Sequence, residues 1–139
     1  MEIAEILKQT PIFSSLTRRD LRRLAKTARV RKYQTSQTII REGRNPHGFF
    51  IIVSGKVEVV KDADTDHPSV LRIMEAGDFF GTAALIERKP RTATVRAIED
   101  TECVSLWRVN FRAELKQNPE IAVKMLSSLL RRISRDESD

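Results

Sequence analysis

The sequence predicts a mainly β fold with helices at both ends, and three observations carry that expectation. Between Arg29 and Trp107 the chain breaks into short runs rich in β-branched and aromatic residues, separated by turns. Such spacing suits an antiparallel sandwich or a rolled barrel rather than βαβ units. On either side of that stretch the apolar period changes to the helical one.

Taken in order, residues 2–8 and 17–27 are expected to be helical, with Thr17 as N-cap before Arg18-Arg19-Asp20. Strands are expected over 30–34, 38–42, 49–54, 56–61, 70–74, 93–98 and 102–107, with one helical interruption at 82–86. A helix resumes over 109–117, stops at Asn118-Pro119 and restarts over 120–135, because proline cannot continue a helix. No internal repeat or low-complexity linker interrupts the sequence. One domain over 1–139 is therefore expected, with N-terminal helices in 1–28, the β region in 29–107 and C-terminal helices in 109–136.

Composition bounds the function. A chain of 139 residues with 40% hydrophobic content can bury a core. The first eight residues carry acidic side chains and no long apolar run, unlike a secretory signal. The longest purely apolar run, Phe49 to Val53, is too short to cross a bilayer. A single cysteine, Cys103, excludes an internal disulfide and suits a reducing cytoplasm. Its alternating context, Cys103-Val104-Ser105-Leu106-Trp107, favours a buried structural thiol.

The net charge of +6 is concentrated between Arg18 and Lys32, where Arg18, Arg19, Arg22, Arg23, Lys26, Arg29, Arg31 and Lys32 face only Asp20 in opposition. Leu16, Leu21, Leu24 and Ala28 mark the buried side of that segment, so most of these cations are expected to be solvated. With 6% aromatic residues, and those in apolar strand or turn contexts, direct nucleic-acid binding is not expected. Asp62 to His67 imitates the start of a calcium loop, but its sixth position is His67 rather than glycine and its twelfth is Ile73 rather than glutamate. His47 and His67 lack the spacing of a transition-metal site. No nucleophile–base arrangement has recognisable local context, so neither catalytic nor metal-ligating residues are assigned and no enzyme is expected.

The informative stretch runs from Gly77-Asp78-Phe79-Phe80-Gly81-Thr82-Ala83-Ala84-Leu85 to Pro90-Arg91-Thr92-Ala93-Thr94-Val95. An apolar pair, a glycine, one turn of small residues and an arginine returned by a proline are the parts of a pocket for one small anion. The start of a helical turn leaves amides without partners, so Gly81 to Ala84 are expected to offer N–H donors while Arg91 offers a full charge and a two-pronged donor. The expected ligand is a compact phosphate ester.

These residues resemble the phosphate-binding cassette of the cyclic-nucleotide-binding domain family, over 80–93. Phe80, Gly81, Ala84, Leu85, Pro90, Arg91, Ala93, Thr94, Val95 and Ala97 fit the family pattern, and Gly43, Gly55, Gly77 and Gly81 fall at its turns. The resemblance covers nearly the whole chain. It implies an antiparallel β-roll, a jelly-roll-like barrel, as fold, and cAMP or cGMP as ligand with no further cofactor. It implies ligand contacts at Phe80, Gly81, Thr82, Ala83, Ala84, Arg91, Thr92 and Ala93, with Leu71 and the last helix covering the base.

One position departs from the pattern. Thr82 stands where the family places a glutamate that accepts from the ribose hydroxyl. Hydrogen bonds to charged groups are worth about 1.5–3 kcal/mol, so losing that contact lowers affinity by roughly one to two orders of magnitude. Thr92 matches the cGMP-responsive members.

Ala122, Leu126, Leu129 and Ile133 recur at spacings of four, three and four, a heptad-like seam widened by Met125 and Leu130. The resemblance implies a homodimer through that helix. Three functional readings follow: a cyclic-nucleotide sensor that signals through the last helix, a degenerate module that binds a partner protein or another anion, and the sensor half of a transcription factor.

Overall fold

Thr17 opens a helix for a local reason. Its hydroxyl accepts from the Asp20 amide at 3.1 Å, while the Asp20 carboxylate accepts from the Thr17 amide at 3.2 Å. This reciprocal box satisfies two amides that a helix start leaves without partners. It begins α2, Arg18–Thr27; ahead of it lie α1, Ile3–Gln9, and a 3-10 turn, Pro11–Phe13. The computed structural model describes residues 2–45, 47–87 and 89–138, with side chains as far as residue 135.

The strands are β1 Arg29–Tyr33, β2 Thr38–Ile40, β3 Gly48–Ser54, β4 Lys56–Lys61, β5 Ser69–Glu75, β6 Phe79–Phe80, β7 Thr94–Ala97 and β8 Thr101–Trp107. A second 3-10 turn, Thr82–Leu85, follows β6, and α3, Arg108–Gln117, and α4, Glu120–Ser138, follow β8. They form two four-stranded antiparallel sheets, in the orders β1-β8-β3-β6 and β2-β7-β4-β5. The sheets do not close into a barrel. Each keeps two outer strands, and the architecture is a roll.

The central strand β3 shows how the layers are built. Phe49 and Ile51 enter a core shared with the helices, whereas Phe50 and Ile52 enter a core between the sheets. Successive side chains of a strand point to opposite faces, so four consecutive apolar residues are buried only if both faces are covered. The helix-side core joins Leu7, Phe13, Leu24, Phe111 and Ile121 to Leu85 of the second 3-10 turn. The inter-sheet core joins Ile40, Val57, Val59, Met74, Phe80, Val95 and Cys103. Burial pushes the Cys103 thiol up to about 12, so it stays protonated and unreactive.

One flank of α4 rests on the N-terminal helices. Ile121 is fully buried, Lys124 Nζ donates to Asp20 at 2.9 Å, Asn118 Nδ2 donates to Asp20 at 3.2 Å, and the hydroxyls of Ser128 and Ser15 meet. The other flank carries Val123, Leu126, Leu129, Leu130 and Ile133, each 41–55% exposed. Among the described residues no helix is long and apolar enough to cross a membrane.

Several boundaries differ from the sequence expectation. β2 ends at Ile40 rather than residue 42, because Gly43 adopts φ 83° and its amide donates to the Arg91 carbonyl instead of a strand partner. The turn at 82–85 is 3-10 rather than α-helical, and Pro11–Phe13 and β6 are elements too short to leave a period.

Candidate ligand-binding site

Gly81 reverses the chain between β6 and the second 3-10 turn at φ 84°, a left-handed conformation that favours glycine. The strand that delivers it is held by Phe80, whose ring stacks on Phe50 at 5.1 Å. Beyond Gly81, Ala84 and Leu85 are buried and anchor the turn, while Thr82 is half-buried and Ala83 exposed. The Ala84 amide already donates to the Gly81 carbonyl at 3.0 Å, so the expected run of donors is cut to Gly81, Thr82 and Ala83, whose amides have no earlier carbonyl within the turn to accept from them.

Arg91 is brought to this turn by its own backbone. Its amide donates to the Arg44 carbonyl at 2.9 Å, and its carbonyl accepts from Gly43 at 2.8 Å. The next residue is fixed as well. Lys61 Nζ donates to the Thr92 carbonyl at 2.9 Å and pairs with Glu42 at 3.1 Å. The Asp62 amide and Lys61 hold the Glu42 carboxyl below its usual range, which keeps that brace charged.

The Arg91 side chain ends against Gly81. A Cβ placed on Gly81 would lie 3.0 and 3.1 Å from its two terminal nitrogens and 2.9 Å from the Gly48 carbonyl oxygen. Arg91 Nη2 donates to that carbonyl at 2.6 Å. Burial lowers the guanidinium's affinity for its proton, though an arginine remains charged near neutrality. Among the described residues no carboxylate lies within ion-pair distance of it. A half-buried cation facing one neutral carbonyl has surrendered hydration without gaining a counter-charge, and a bound anion restores the balance.

An open groove of about 440 Å³ runs past this point, walled by Arg72, Ile73, Met74, Phe80, Gly81 and Thr82. Arg91 itself lines a smaller cavity of about 130 Å³, together with Tyr33, Ile40, His47, Gly48, Phe50 and Trp107.

The structure thus sets Gly81 against Arg91 and puts Phe80 and Thr82 beside Gly81 in the groove wall, while Ala83 is exposed and the Ala84 side chain is buried. Thr92 is exposed beside the arginine, and Ala93 packs half-buried on the inter-sheet core. Leu71 is 57% exposed and the apolar seam of α4 is exposed too, so neither covers the other. Two residues here were not expected from the sequence. Gly48 supplies the carbonyl that holds Arg91, and Arg72 stands in the groove wall. Alternation with Met74 was the signal available for Arg72, hidden because an arginine in a strand reads as outward-facing.

The protein-family model described as the cyclic nucleotide-binding domain matches residues 30–118. A CRP-like cAMP-activated global transcriptional regulator of Mycobacterium tuberculosis is 29% identical over 135 residues, which are 97% of this chain and 60% of that protein. Among solved structures, the N-terminal domain of a transcriptional regulator from Streptomyces coelicolor A3(2) matches 96% of this chain and 93% of its own, with TM-score 0.83 and 22% identity. The regulatory domain of Toxoplasma gondii PKA, crystallised with cAMP, matches 80% of this chain and 42% of its own, with TM-score 0.73 and 32% identity. The chain therefore spans about 60% of the length of the mycobacterial regulator it matches.

Proposed function

Because the chain belongs to the cyclic nucleotide-binding domain family, we propose that it is a ligand-sensing module whose Arg91 seats the phosphate of a cyclic nucleotide, with cAMP and cGMP as the simplest candidates. The observation that carries this reading is the half-buried Arg91 guanidinium, paired with the Gly48 carbonyl beside the backbone of Gly81 to Ala84. Thr92 beside it offers a hydroxyl to the base.

A physical route to the last helix supports the signalling part. Ala84 and Leu85 anchor the turn, and Leu85 shares a core with Phe13, Phe111 and Ile121. A ligand that pulls on Gly81 and Thr82 therefore loads the packing under α4. It shifts the helix to the extent that it binds one packing better than another. A cytoplasmic site of action fits the lone, buried Cys103.

Calorimetric titration of cAMP and cGMP tests the reading. Arg91→Ala is expected to weaken binding by roughly 10- to 100-fold, the worth of charge-assisted hydrogen bonds. Thr82→Glu is expected to strengthen it by a similar factor by supplying an acceptor for a ribose hydroxyl. Equal affinity in the wild type and Arg91→Ala removes the basis of the proposal.

The exposed flank of α4 supports a homodimer. Leu126, Leu129 and Ile133, flanked by Val123 and Leu130, form a stripe of the kind that pairs helices. Sedimentation is expected to show a concentration-dependent dimer that Leu126→Glu combined with Leu129→Glu converts to monomer. A wild type that stays monomeric at high concentration refutes it.

A further inference from the structure

Arg91 and Thr92 precede β7, which begins at Thr94, and among the described residues no strand ladder reaches them. Two neighbouring segments fix them instead. On one side Gly43 and Arg44 take up the Arg91 carbonyl and amide, and the Glu42 amide donates to the hydroxyl of the buried Thr94 at 3.1 Å. On the other side stands Lys61, the last residue of β4, whose Nζ donates to the Thr92 carbonyl at 2.9 Å.

Glu42 joins the two sides. Its Oε2 lies 3.1 Å from Lys61 Nζ, and its Oε1 accepts from the Asp62 amide at 2.9 Å, so one carboxylate holds both the ammonium and the backbone next to it. An ammonium with a carboxylate at contact distance presents a dipole, not a net charge, to an anion farther away. What Lys61 gives to an anion on Arg91 is therefore given through position. Position matters at such a seat, because hydrogen bonds weaken steeply once donor and acceptor leave their preferred alignment.

We infer that Lys61 and Glu42 are positioning residues of the anion seat: by holding the Thr92 carbonyl they keep the backbone that aims Arg91 in place, and so set ligand affinity through it. This rests on the reading of Arg91 as the phosphate seat and adds the side chains that keep it aimed.

Calorimetric affinities for cAMP and cGMP test it in the wild type, Lys61→Met, Lys61→Arg, Glu42→Gln, Arg91→Ala and Lys61→Met combined with Arg91→Ala. Lys61→Met and Glu42→Gln are each expected to weaken binding about three- to tenfold, the worth of one modest hydrogen bond. The loss is smaller than for Arg91→Ala because the backbone bonds to Gly43 and Arg44 remain. Lys61→Arg, which keeps charge and donor, is expected to restore most of it. Glu42→Gln is the decisive variant, since it frees the Lys61 charge: a plain electrostatic attraction would make it bind more tightly, whereas a positioning role makes it bind more weakly. In the Arg91→Ala background Lys61→Met is expected to cost nothing further, with no guanidinium left to aim. Exposed ion pairs contribute little to stability, and all affinities are compared well below every variant's thermal midpoint, so folding is not the variable. A tighter-binding Glu42→Gln, an unchanged Lys61→Met, or a Lys61→Met loss that persists in full without Arg91 overturns the inference and leaves Arg91 as the seat. If Arg91→Ala binds as the wild type does, or the wild type binds neither nucleotide, the Arg91 reading falls and this one with it.

Discussion

Asp20→Ala is expected to destabilise the protein by about 3 kcal/mol, at the low end for breaking a buried ion pair because Lys124 is itself one-third exposed. Asp20 is 4% exposed and receives the Thr17 amide, the Asn118 amide group and the Lys124 ammonium. Removing it opens the start of α2 and detaches the first turns of α4 in one step. Burial on its own raises the Asp20 pKa; the hydrogen bonds from Lys124 and Thr17 outweigh it, and the net displacement is downward.

The sign of the pH dependence follows from that displacement. A carboxylate whose folded pKa lies below its unfolded one contributes stability above the unfolded value, and the contribution is lost as pH falls through the folded value. Denaturant midpoints of wild type and Asp20→Asn are therefore expected to differ near neutrality and converge in acid, below the ordinary carboxylate range. Parallel curves down to that limit are incompatible with the charged clasp.

Phe13→Ala is expected to cost about 3–5 kcal/mol, the range for truncating a fully buried aromatic ring, and to lower the thermal midpoint by on the order of 10 °C. Phe13 has no exposed surface. Its ring meets Phe49 edge-on at 5.8 Å and Phe111 at 6.4 Å. Phe49 adjoins Gly48, the residue whose carbonyl holds Arg91, so the cavity opens beneath the ligand site as well as beneath the helices. Weakened ligand binding is expected alongside the lost stability, at a temperature where the variant remains folded. A loss of stability with ligand affinity intact would show that the helix layer and the groove are energetically separate.

How much of this was legible in the sequence depended on distance along the chain. The Thr17 cap was readable because its partners lie within three residues. The second role of Asp20 was not, since Asn118 and Lys124 are brought to it only by the fold. Strand positions followed from alternation, and the two-sided burial of Phe49 to Ile52 was foreshadowed by an uninterrupted apolar run. The meeting of Gly81 with Arg91 was readable because the family resemblance spans both. Arg72 escaped because strand face depends on register, and a bulge between Val59 and Val60 resets it within β4. The exposed α4 stripe was anticipated by its spacing, whereas the direction in which that helix leans is a tertiary property.

The grip of Gly48 on Arg91 also has a practical consequence for anyone handling the protein. Under the proposed reading, sulfate or inorganic phosphate in a buffer competes for the arginine, stabilising the folded chain by mass action and masking a weaker ligand. Melting screens run in such salts would record the solvent's own oxyanion as a hit, so chloride buffers of fixed ionic strength are the proper baseline.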